Sequence, residues 1–171
     1  VILHSRILWF YSNAYMELKD PALLDMAKHA YEFLTEKCVD KEYGGVYWSM
    51  NYDGTVKADF KHSYCQAFFI YALSSYYRAS GDKNALKLAY EIMDLVEKYA
   101  TDDVAYLETM ARDWKSELQN DELSENGLMA DKTMNTTLHL MEAYTELYLA
   151  DHSPKVLDRL KFQLDLTYDK I

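Results

Sequence analysis

The amino-acid sequence predicts an all-α protein built from repeated helical hairpins. Glycine and proline, the residues that most often interrupt helices, number only 5 and 2 among 171 residues. Apolar side chains recur at the three-to-four-residue spacing of amphipathic helices, beginning with Ile2, Leu3, Ile7 and Phe10. Three stretches also repeat one pattern of an aromatic-rich helix, a short polar break and a second amphipathic helix. They are residues 11–33, 73–96 and 144–166.

The polar breaks mark where each second helix begins. Asp20 stands where an N-cap side chain accepts a backbone N–H, and Pro21 follows at the first helical position, where its missing N–H costs nothing. Asp82 holds the cap position in the second break, and Ser153 precedes Pro154 in the third. These caps lie 62 and 71 residues apart, and a leucine four residues after each cap supports the alignment. Such hairpins bury their apolar faces by stacking, either as an open row or as a closed double ring of helices.

The connections between the hairpins differ in character. Residues 43–54 alternate aromatic and polar side chains between a Gly-Gly and an Asp-Gly pair. This pattern predicts a short β-hairpin within a loop. Residues 106–118 have the spacing of a short helix, whereas the polar residues 120–127 predict a loop.

Composition excludes several classes of partner. The chain carries 28 Asp and Glu against 18 Lys and Arg, a formal charge of −10, so nucleic acid and anionic membrane surfaces would be repelled. The longest apolar run, residues 67–73, is far too short to span a bilayer. Two distant cysteines, Cys38 and Cys65, indicate free thiols and therefore a cytoplasmic, reducing location.

The chain begins and ends inside helical patterns. Its first residues already follow helical spacing without a cap, and its last residues continue an amphipathic helix. We therefore expect residues 1–171 to form one partial domain, a piece of a longer protein. Such a piece exposes apolar helix faces, so self-association is also expected.

The alignment of the hairpins points to a binding site. The two offsets place Arg6, Phe68 and His139 in one position of successive first helices, and Tyr64 and Asn135 in another, one turn away. In a closed ring the first helices form the inner wall, so these side chains would face one cavity. Buried polar groups need partners, and the hydroxyls of a sugar or other polyol would supply them. Four of the five also have a purely structural interpretation: His139 as a core histidine, Arg6 as an ion-paired arginine, and Tyr64 and Phe68 as core aromatic residues.

Other kinds of site find less support. The sequence contains no dinucleotide-binding, P-loop or nucleophile-elbow motif, and its histidines lack the spacing of a zinc site. Trp48 and Tyr47 are candidates to stack on the apolar face of a sugar. Loop carboxylates leave glycoside hydrolysis open, although their spacing does not single out an acid and a base. They are Asp59, Glu108, Asp113 and Glu125.

Four separated blocks carry a family resemblance. They are residues 4–9 (HSRILW), 44–48 (GGVYW), 61–68 (KHSYCQAF) and 134–145 (MNTTLHLMEAYT). Together, and in this order, they resemble the N-acylglucosamine 2-epimerase family, and the last block is most similar to its cellobiose 2-epimerase branch. The family fold is an (α/α)6 barrel and its members are more than twice as long. The resemblance therefore implies that this chain forms about the first half of such a barrel.

The resemblance implies a role for each of the five aligned positions. Arg6 corresponds to a substrate-binding arginine, and Tyr64 and Phe68 correspond to aromatic residues that line the pocket. Asn135 and His139 correspond to residues that contact the sugar being epimerised, and His139 is the catalytic candidate. The resemblance also implies that the two principal acid/base histidines lie outside this chain, so the isolated chain is expected to be inactive.

The implied reaction inverts C2 of a reducing-end sugar, such as a β-1,4 disaccharide of the cellobiose type. The opened sugar loses its C2 proton to give a cis-enediolate and regains a proton on the opposite face. Arg6, Asn135 and His139 are expected to stabilise the enediolate oxygens. No metal, nucleotide or redox cofactor is required. The alternatives are an epimerase or isomerase of N-acylglucosamine or mannose, a non-catalytic helical-repeat module that binds carbohydrate, and a glycoside hydrolase.

Overall fold

The computed structural model describes residues 1–102, 104–119 and 130–170, and three helical hairpins make up most of this part of the chain. The hairpins are α1 (Ile2–Leu18) with α2 (Pro21–Phe33), α3 (Ser63–Ser80) with α4 (Lys83–Tyr99), and α5 (Met134–Asp151) with α6 (Pro154–Lys170). A short π-helical turn, Leu34–Cys38, extends α2. The all-α architecture predicted from the repeat is confirmed.

The predicted breaks set the helix boundaries. Asp20 and Asp82 each accept a hydrogen bond from the backbone N–H two residues later, at 3.0 and 2.9 Å, as N-cap residues do. Helix α6 begins at Pro154, as expected. The first helix of every hairpin ends at a residue with left-handed backbone conformation, which reverses the chain direction. These residues are Lys19, Gly81 and His152.

The first helices of the three hairpins form one layer, with α3 between α1 and α5. Each second helix packs chiefly against the first helix of its own hairpin and lies outside the layer of first helices. The central position explains the sequence of α3, which is apolar or small on nearly every face and buried over most of its length. Fully buried side chains from several elements fill the space between the helices. They include Leu8, Leu34, Phe69, Ile92 and Leu140.

A buried polar network joins the last two hairpins. The Glu97 carboxylate of α4 accepts hydrogen bonds from the hydroxyls of Tyr106 (2.8 Å) and Tyr144 (2.7 Å). Arg159 of α6 forms an ion pair with the same carboxylate, and Gln163 donates to the Tyr106 hydroxyl at 3.1 Å. Because every member is buried or half-buried, the network fixes how α4, α5 and α6 pack together.

In the described part of the connections there are two small antiparallel strand pairs. Strand β1 (Ser49–Met50) pairs with β2 (Val56–Ala58), which confirms the predicted β-hairpin, although its second strand lies beyond Gly54. Strand β3 (Lys61–His62) pairs with β4 (Thr109–Met110).

The prediction of a short helix over residues 106–118 is wrong. Residues 109 and 110 instead pair with β3, the Thr109 C=O also accepts from the Leu118 N–H, and between them lies a turn in which Trp114 has a φ of 65°. A right-handed helix cannot continue through that conformation. The predicted loop 120–127, with Glu125, lies outside the described residues.

The Gly-Gly pair of the first connection permits a close approach to α3. Gly45 has a φ of 71°, and a Cβ atom there would lie 2.6 Å from the Trp114 ring. The absence of a side chain lets the Gln66 amide bind both backbone groups of Val46, with the N–H and the C=O each at 2.8 Å. This clamp holds the connection against the central helix.

Both cysteines are free and buried. Burial raises the pKa of Cys38 to about 11 and that of Cys65 to about 12, so neither is a thiolate nucleophile at neutral pH.

A separate finding concerns membranes: none of the helices in the described part of the chain has the length and apolar character needed to cross one.

Candidate functional site

A cavity of about 430 Å³ opens on the face formed by α1, α3 and α5. Three of the five predicted site residues line it, namely Arg6, Phe68 and His139. They come from three different hairpins, and each occupies the equivalent position of its first helix. The layer of first helices is what brings them together. The full lining is Arg6, Trp9, Phe10, Phe68, Tyr71, His139 and Glu142.

Four of the predicted residues form one continuous cluster. The Arg6 guanidinium lies over the Phe68 ring, 4.7 Å from its centroid, which is a cation–π contact. The His139 ring lies 4.7 Å from the Phe68 ring on the next helix. Tyr64 packs edge-on against His139, with 4.8 Å between ring centroids and an 88° angle between the planes. The cluster thus presents one cation and one imidazole on an aromatic base.

Asn135 does not join this cluster. It lies in the first turn of α5, one turn before His139, where its side chain is exposed. The four-residue spacing places it on the same face of the helix as His139. It therefore lies beside the cavity rather than in its lining.

The cavity contains residues that the sequence analysis missed. Trp9 and Tyr71 stack at 5.2 Å between ring centroids with a 17° angle, and Glu142 completes the lining next to His139. These three residues follow Arg6, Phe68 and His139 by three positions each, so the same two offsets relate them. Applying the alignment to this second helical position would have found them.

Trp9, Tyr71 and Glu142 differ chemically from Arg6, Phe68 and His139. Burial, together with the carboxylates of Glu146 and Glu142, raises the pKa of Tyr71 to about 12. Its hydroxyl is therefore neutral at physiological pH. Glu142 bonds to His139, with 2.7 Å between Glu142 Oε2 and His139 Nδ1. The site thus pairs its imidazole with a carboxylate.

Glu108, one of the loop carboxylates, proves to be a structural tie between α3 and α5. Its Oε1 accepts from the backbone N–H and hydroxyl of Thr133, both at 2.9 Å, and its Oε2 accepts from the Thr136 hydroxyl at 2.6 Å. His62 Nε2 lies 3.8 Å from Oε2, and His62 Nδ1 accepts from the backbone N–H of Tyr64 at 3.3 Å. Burial raises the pKa of Glu108 against the opposing effect of its hydrogen bonds. The Glu108 carboxylate thus binds the N-terminal end of α5 and lies beside the N-cap residue of α3, two of the three helices that carry the cluster.

The other candidate residues lie elsewhere. Trp48 stacks on His62 (4.8 Å) and Phe60 (5.7 Å), and neither Trp48 nor Tyr47 lines the cavity. Asp113 accepts from the backbone N–H of Lys115 in an exposed turn. Within residues 1–102, 104–119 and 130–170, no three His, Cys, Asp or Glu side chains come close enough to hold a metal ion.

Comparison with known proteins agrees with this architecture. The family model described as N-acylglucosamine 2-epimerase matches residues 1–170. A cellobiose 2-epimerase from Ruminococcus albus is 63% identical over 164 residues, which cover 96% of this chain and 42% of the relative. The chain therefore spans less than half the length of that protein.

Solved structures show the same relationship. A sugar epimerase from a ruminal bacterium superposes with a TM-score of 0.94 at 61% identity, covering 98% of this chain and 43% of that one. The cellobiose 2-epimerase from Bacillus thermoamylovorans gives the same TM-score at 44% identity, covering 99% of this chain and 44% of that one. The hairpins thus match about 40% of an (α/α)6 barrel, as predicted. On these grounds the chain belongs to the N-acylglucosamine 2-epimerase family.

Proposed function

We propose that this chain forms the sugar-orienting part of a carbohydrate 2-epimerase. The observation that carries the proposal is the cluster of Arg6, Tyr64, Phe68 and His139 on adjacent helices around one cavity. A volume of about 430 Å³ lies within the range of small-molecule sites. The cation, the imidazole and the aromatic rings match the hydroxyls and the apolar faces of a sugar.

The proposed chemistry is inversion at C2 of an opened reducing-end sugar. Loss of the C2 proton gives an enediolate, whose negative charge needs fixed positive groups or hydrogen-bond donors nearby. Arg6 supplies a permanent positive charge and planar N–H donors at the rim of the cavity. Asn135 supplies an amide beside it. The groups that exchange the C2 proton are proposed to lie in the part of the relatives' length that this chain does not cover.

We propose a cellobiose-type β-1,4 disaccharide as the substrate. The support is the 63% identity to a cellobiose 2-epimerase over nearly the whole chain. An epimerase or isomerase of N-acylglucosamine or mannose is the alternative within the family. A non-catalytic carbohydrate-binding module and a glycoside hydrolase are the alternatives outside it.

The first prediction concerns activity. The chain alone is expected to leave cellobiose unchanged, because the groups that return a proton to the opposite face of C2 are proposed to lie outside residues 1–171. When residues 1–171 replace the corresponding segment of the Ruminococcus albus enzyme, the resulting protein is expected to exchange the C2 hydrogen of cellobiose in heavy water and to form the C2 epimer. This protein is called the joined protein below. Turnover by the chain alone, or release of monosaccharides, would contradict the proposal.

The second prediction separates the site from the scaffold. In the joined protein, His139→Ala should lower kcat by at least about 100-fold, since His139 contacts the reacting sugar in the proposed site. The matched control is His29→Ala, which removes an exposed histidine on α2 and should keep full activity. Equal activity of the two variants, measured as C2 exchange, would remove His139 from the mechanism.

We also propose that the isolated chain self-associates. A second hollow of about 500 Å³ runs between α5 and α6, and its lining is largely apolar, including Met141, Tyr148 and Leu157. Leu164 lines the same hollow with 55% of its surface exposed. Exposed apolar surface of this kind favours burial against a second copy.

Sedimentation velocity tests this third prediction. The mean sedimentation coefficient should rise with protein concentration, and Leu164→Glu should abolish the rise. Leu18→Glu is the control, because Leu18 is 72% exposed at the far end of α1. A monomer at every concentration would refute the proposal.

A cytoplasmic location completes the proposal. It is supported by the two free, buried thiols, Cys38 and Cys65, which are typical of a reducing compartment. The excess of acidic residues supports the expectation that nucleic acid and anionic membranes are not partners.

A further inference from the structure

The His139 ring is held on three sides. Tyr64 packs edge-on against it and Phe68 lies against it at a 42° tilt. Glu142, one turn later on α5, bonds to Nδ1 at 2.7 Å. The side chain of His139 is only 22% exposed, and it faces the cavity that Arg6 also lines. The orientation of this imidazole is therefore determined by its neighbours.

We infer that Glu142 is a positioning residue that keeps the proton of neutral His139 on Nδ1 and leaves Nε2 as a hydrogen-bond acceptor for the bound sugar. The assignment of the ring proton rests on the 2.7 Å contact between Glu142 Oε2 and His139 Nδ1, taken with an ionised carboxylate and a neutral imidazole. The role of Nε2 toward a sugar rests on the proposed function.

The argument begins with the donor and acceptor roles. An ionised carboxylate only accepts hydrogen bonds, so the Nδ1 atom next to Glu142 must carry a proton. Neutral imidazole has one N–H, and Nε2 then bears a lone pair. Within the part of the chain that the structure describes, no hydrogen-bond partner is recorded for His139 Nε2. The second nitrogen is thus available to a ligand.

The inference changes the chemical role expected for His139. A neutral His139 with its proton on Nδ1 cannot donate a hydrogen bond from Nε2 to an enediolate oxygen. It accepts one from a sugar hydroxyl instead, and any proton that it takes up is held at Nε2, with the imidazolium stabilised by Glu142. Stabilisation of the enediolate oxygen then falls to the guanidinium of Arg6, which only donates hydrogen bonds, and to the amide of Asn135 beside the cavity.

Glu142 is well placed for this role because, among the residues that the structure describes, no lysine or arginine forms an ion pair with its carboxylate. Another glutamate on the same helix, Glu146, is committed to Arg78 (2.8 Å) and to the Ser75 hydroxyl (3.0 Å) instead. Glu146 therefore provides a control: it has the same charge and lies on the same helix one turn away, but it bonds to Arg78 and Ser75 rather than to His139.

The fourth prediction is a measurement of the tautomer in the chain itself. Histidine labelled with 15N is observed by two-bond proton–nitrogen correlation at a pH where imidazole is neutral, and His139→Gln identifies the signal. We expect a protonated Nδ1 and an unprotonated Nε2. Glu142→Ala should shift the population toward the Nε2–H form, which is the more stable form in free histidine. Glu146→Gln should leave the signal unchanged.

Two results would overturn the inference. The first is an Nε2–H tautomer in the unmodified chain, a readout that does not depend on how any variant folds. The second is a population that does not respond to Glu142→Ala. A merely structural role for Glu142 would not move the tautomer.

The joined protein provides an independent kinetic readout. Glu142→Ala should lower kcat about 10- to 100-fold with a smaller change in KM, as is usual when a partner that orients a functional histidine is removed. Equal kcat values would contradict the inference. An inactive joined protein without substitutions would contradict the proposed function, whereas the tautomer result would still stand, so the two failures are distinguishable.

Discussion

Replacement of Asp40 by asparagine is expected to lower the free energy of unfolding by about 3–5 kcal/mol, which is typical when one partner of a buried ion pair is removed. Asparagine keeps the shape of the side chain and an oxygen that can accept from the backbone N–H of Glu42, a bond of 3.0 Å. The variant therefore removes the charge with little change in the turn. Urea unfolding at neutral pH measures the effect.

The cost arises because Lys61 would remain buried without its counter-ion. The side chains of Lys61 and Asp40 are both 0% exposed, and 2.9 Å separates Lys61 Nζ from Asp40 Oδ2. Arg112 donates to the same carboxylate from Nε (2.8 Å) and Nη2 (3.1 Å). Arg112 also lies 3.1 Å from the exposed Glu42 and can turn to it, whereas Lys61 has no such route to solvent.

The same cluster predicts a pH dependence. Burial alone would raise the pKa of Asp40, but the hydrogen bonds from Arg112 and Lys61 outweigh it and hold this pKa well below its usual range. A carboxyl group with a lowered pKa in the folded state adds stability above its ordinary pKa and loses that contribution as the pH falls. The difference in stability between the unmodified chain and Asp40→Asn should therefore shrink in acid.

Two further variants test whether the loss of stability comes from the buried ion pair. Asp53→Asn is the control, because Asp53 accepts from Thr55 in a similar turn but is exposed, and it should leave the unfolding midpoint nearly unchanged. Adding Lys61→Met to Asp40→Asn removes the unpaired charge and should restore part of the loss. If Asp40→Asn costs no more than Asp53→Asn, the buried pair does not stabilise this fold.

Truncation of Glu108 is expected to have the second large effect on the stability of the fold. Glu108→Ala is expected to destabilise the chain by about 3 kcal/mol or more, because the buried hydroxyl of Thr136 and two half-buried donors on Thr133 lose their acceptor. Glu108→Gln should cost much less. Its amide keeps an oxygen for Thr133, and the Thr136 hydroxyl can rotate to accept from the new NH₂ group. Equal costs for the two variants, measured by urea unfolding, would show that these hydrogen bonds contribute little.

The ionisation of Glu108 predicts a separate pH dependence of stability. Its pKa is raised in the folded state by burial, so the folded chain binds more protons than the unfolded chain between the ordinary glutamate pKa and the raised value. Stability contributed by this group therefore falls as the pH rises through that interval. Because other carboxyl groups act in the opposite direction, the comparison to make is between the unmodified chain and Glu108→Gln. As the pH increases, the unmodified chain should lose stability relative to Glu108→Gln.

Much of the fold follows from local rules that can be applied to the sequence directly. Asp20 and Asp82 cap helices because a short polar side chain before an amphipathic run can satisfy free N–H groups without tertiary help. The same rules failed over residues 106–118. There the helical spacing of apolar residues was real, but pairing of Thr109 and Met110 with β3 satisfied the backbone in another way.

The candidate site was predicted in outline for a related reason. A repeat of hairpins preserves helix positions, so residues related by the same offsets reach the same height, as Arg6, Phe68 and His139 do. The same alignment relates the positions three residues later, where Trp9, Tyr71 and Glu142 also line the cavity. What the alignment could not reveal is which of these side chains bind one another, such as His139 and Glu142.

The sequence by itself determined the helical class, the three hairpins, the family and the row of residues from which the cavity is built, because periodicity, capping and repetition are properties of local sequence. Only the tertiary structure decided that Glu108 ties two helix ends together, that Lys61 and Asp40 form a buried pair, and that Asn135 lies outside the cavity. Those outcomes depend on contacts between residues distant in the chain, on how far each side chain reaches and on whether water remains beside it. Such quantities exist only once the helices have packed.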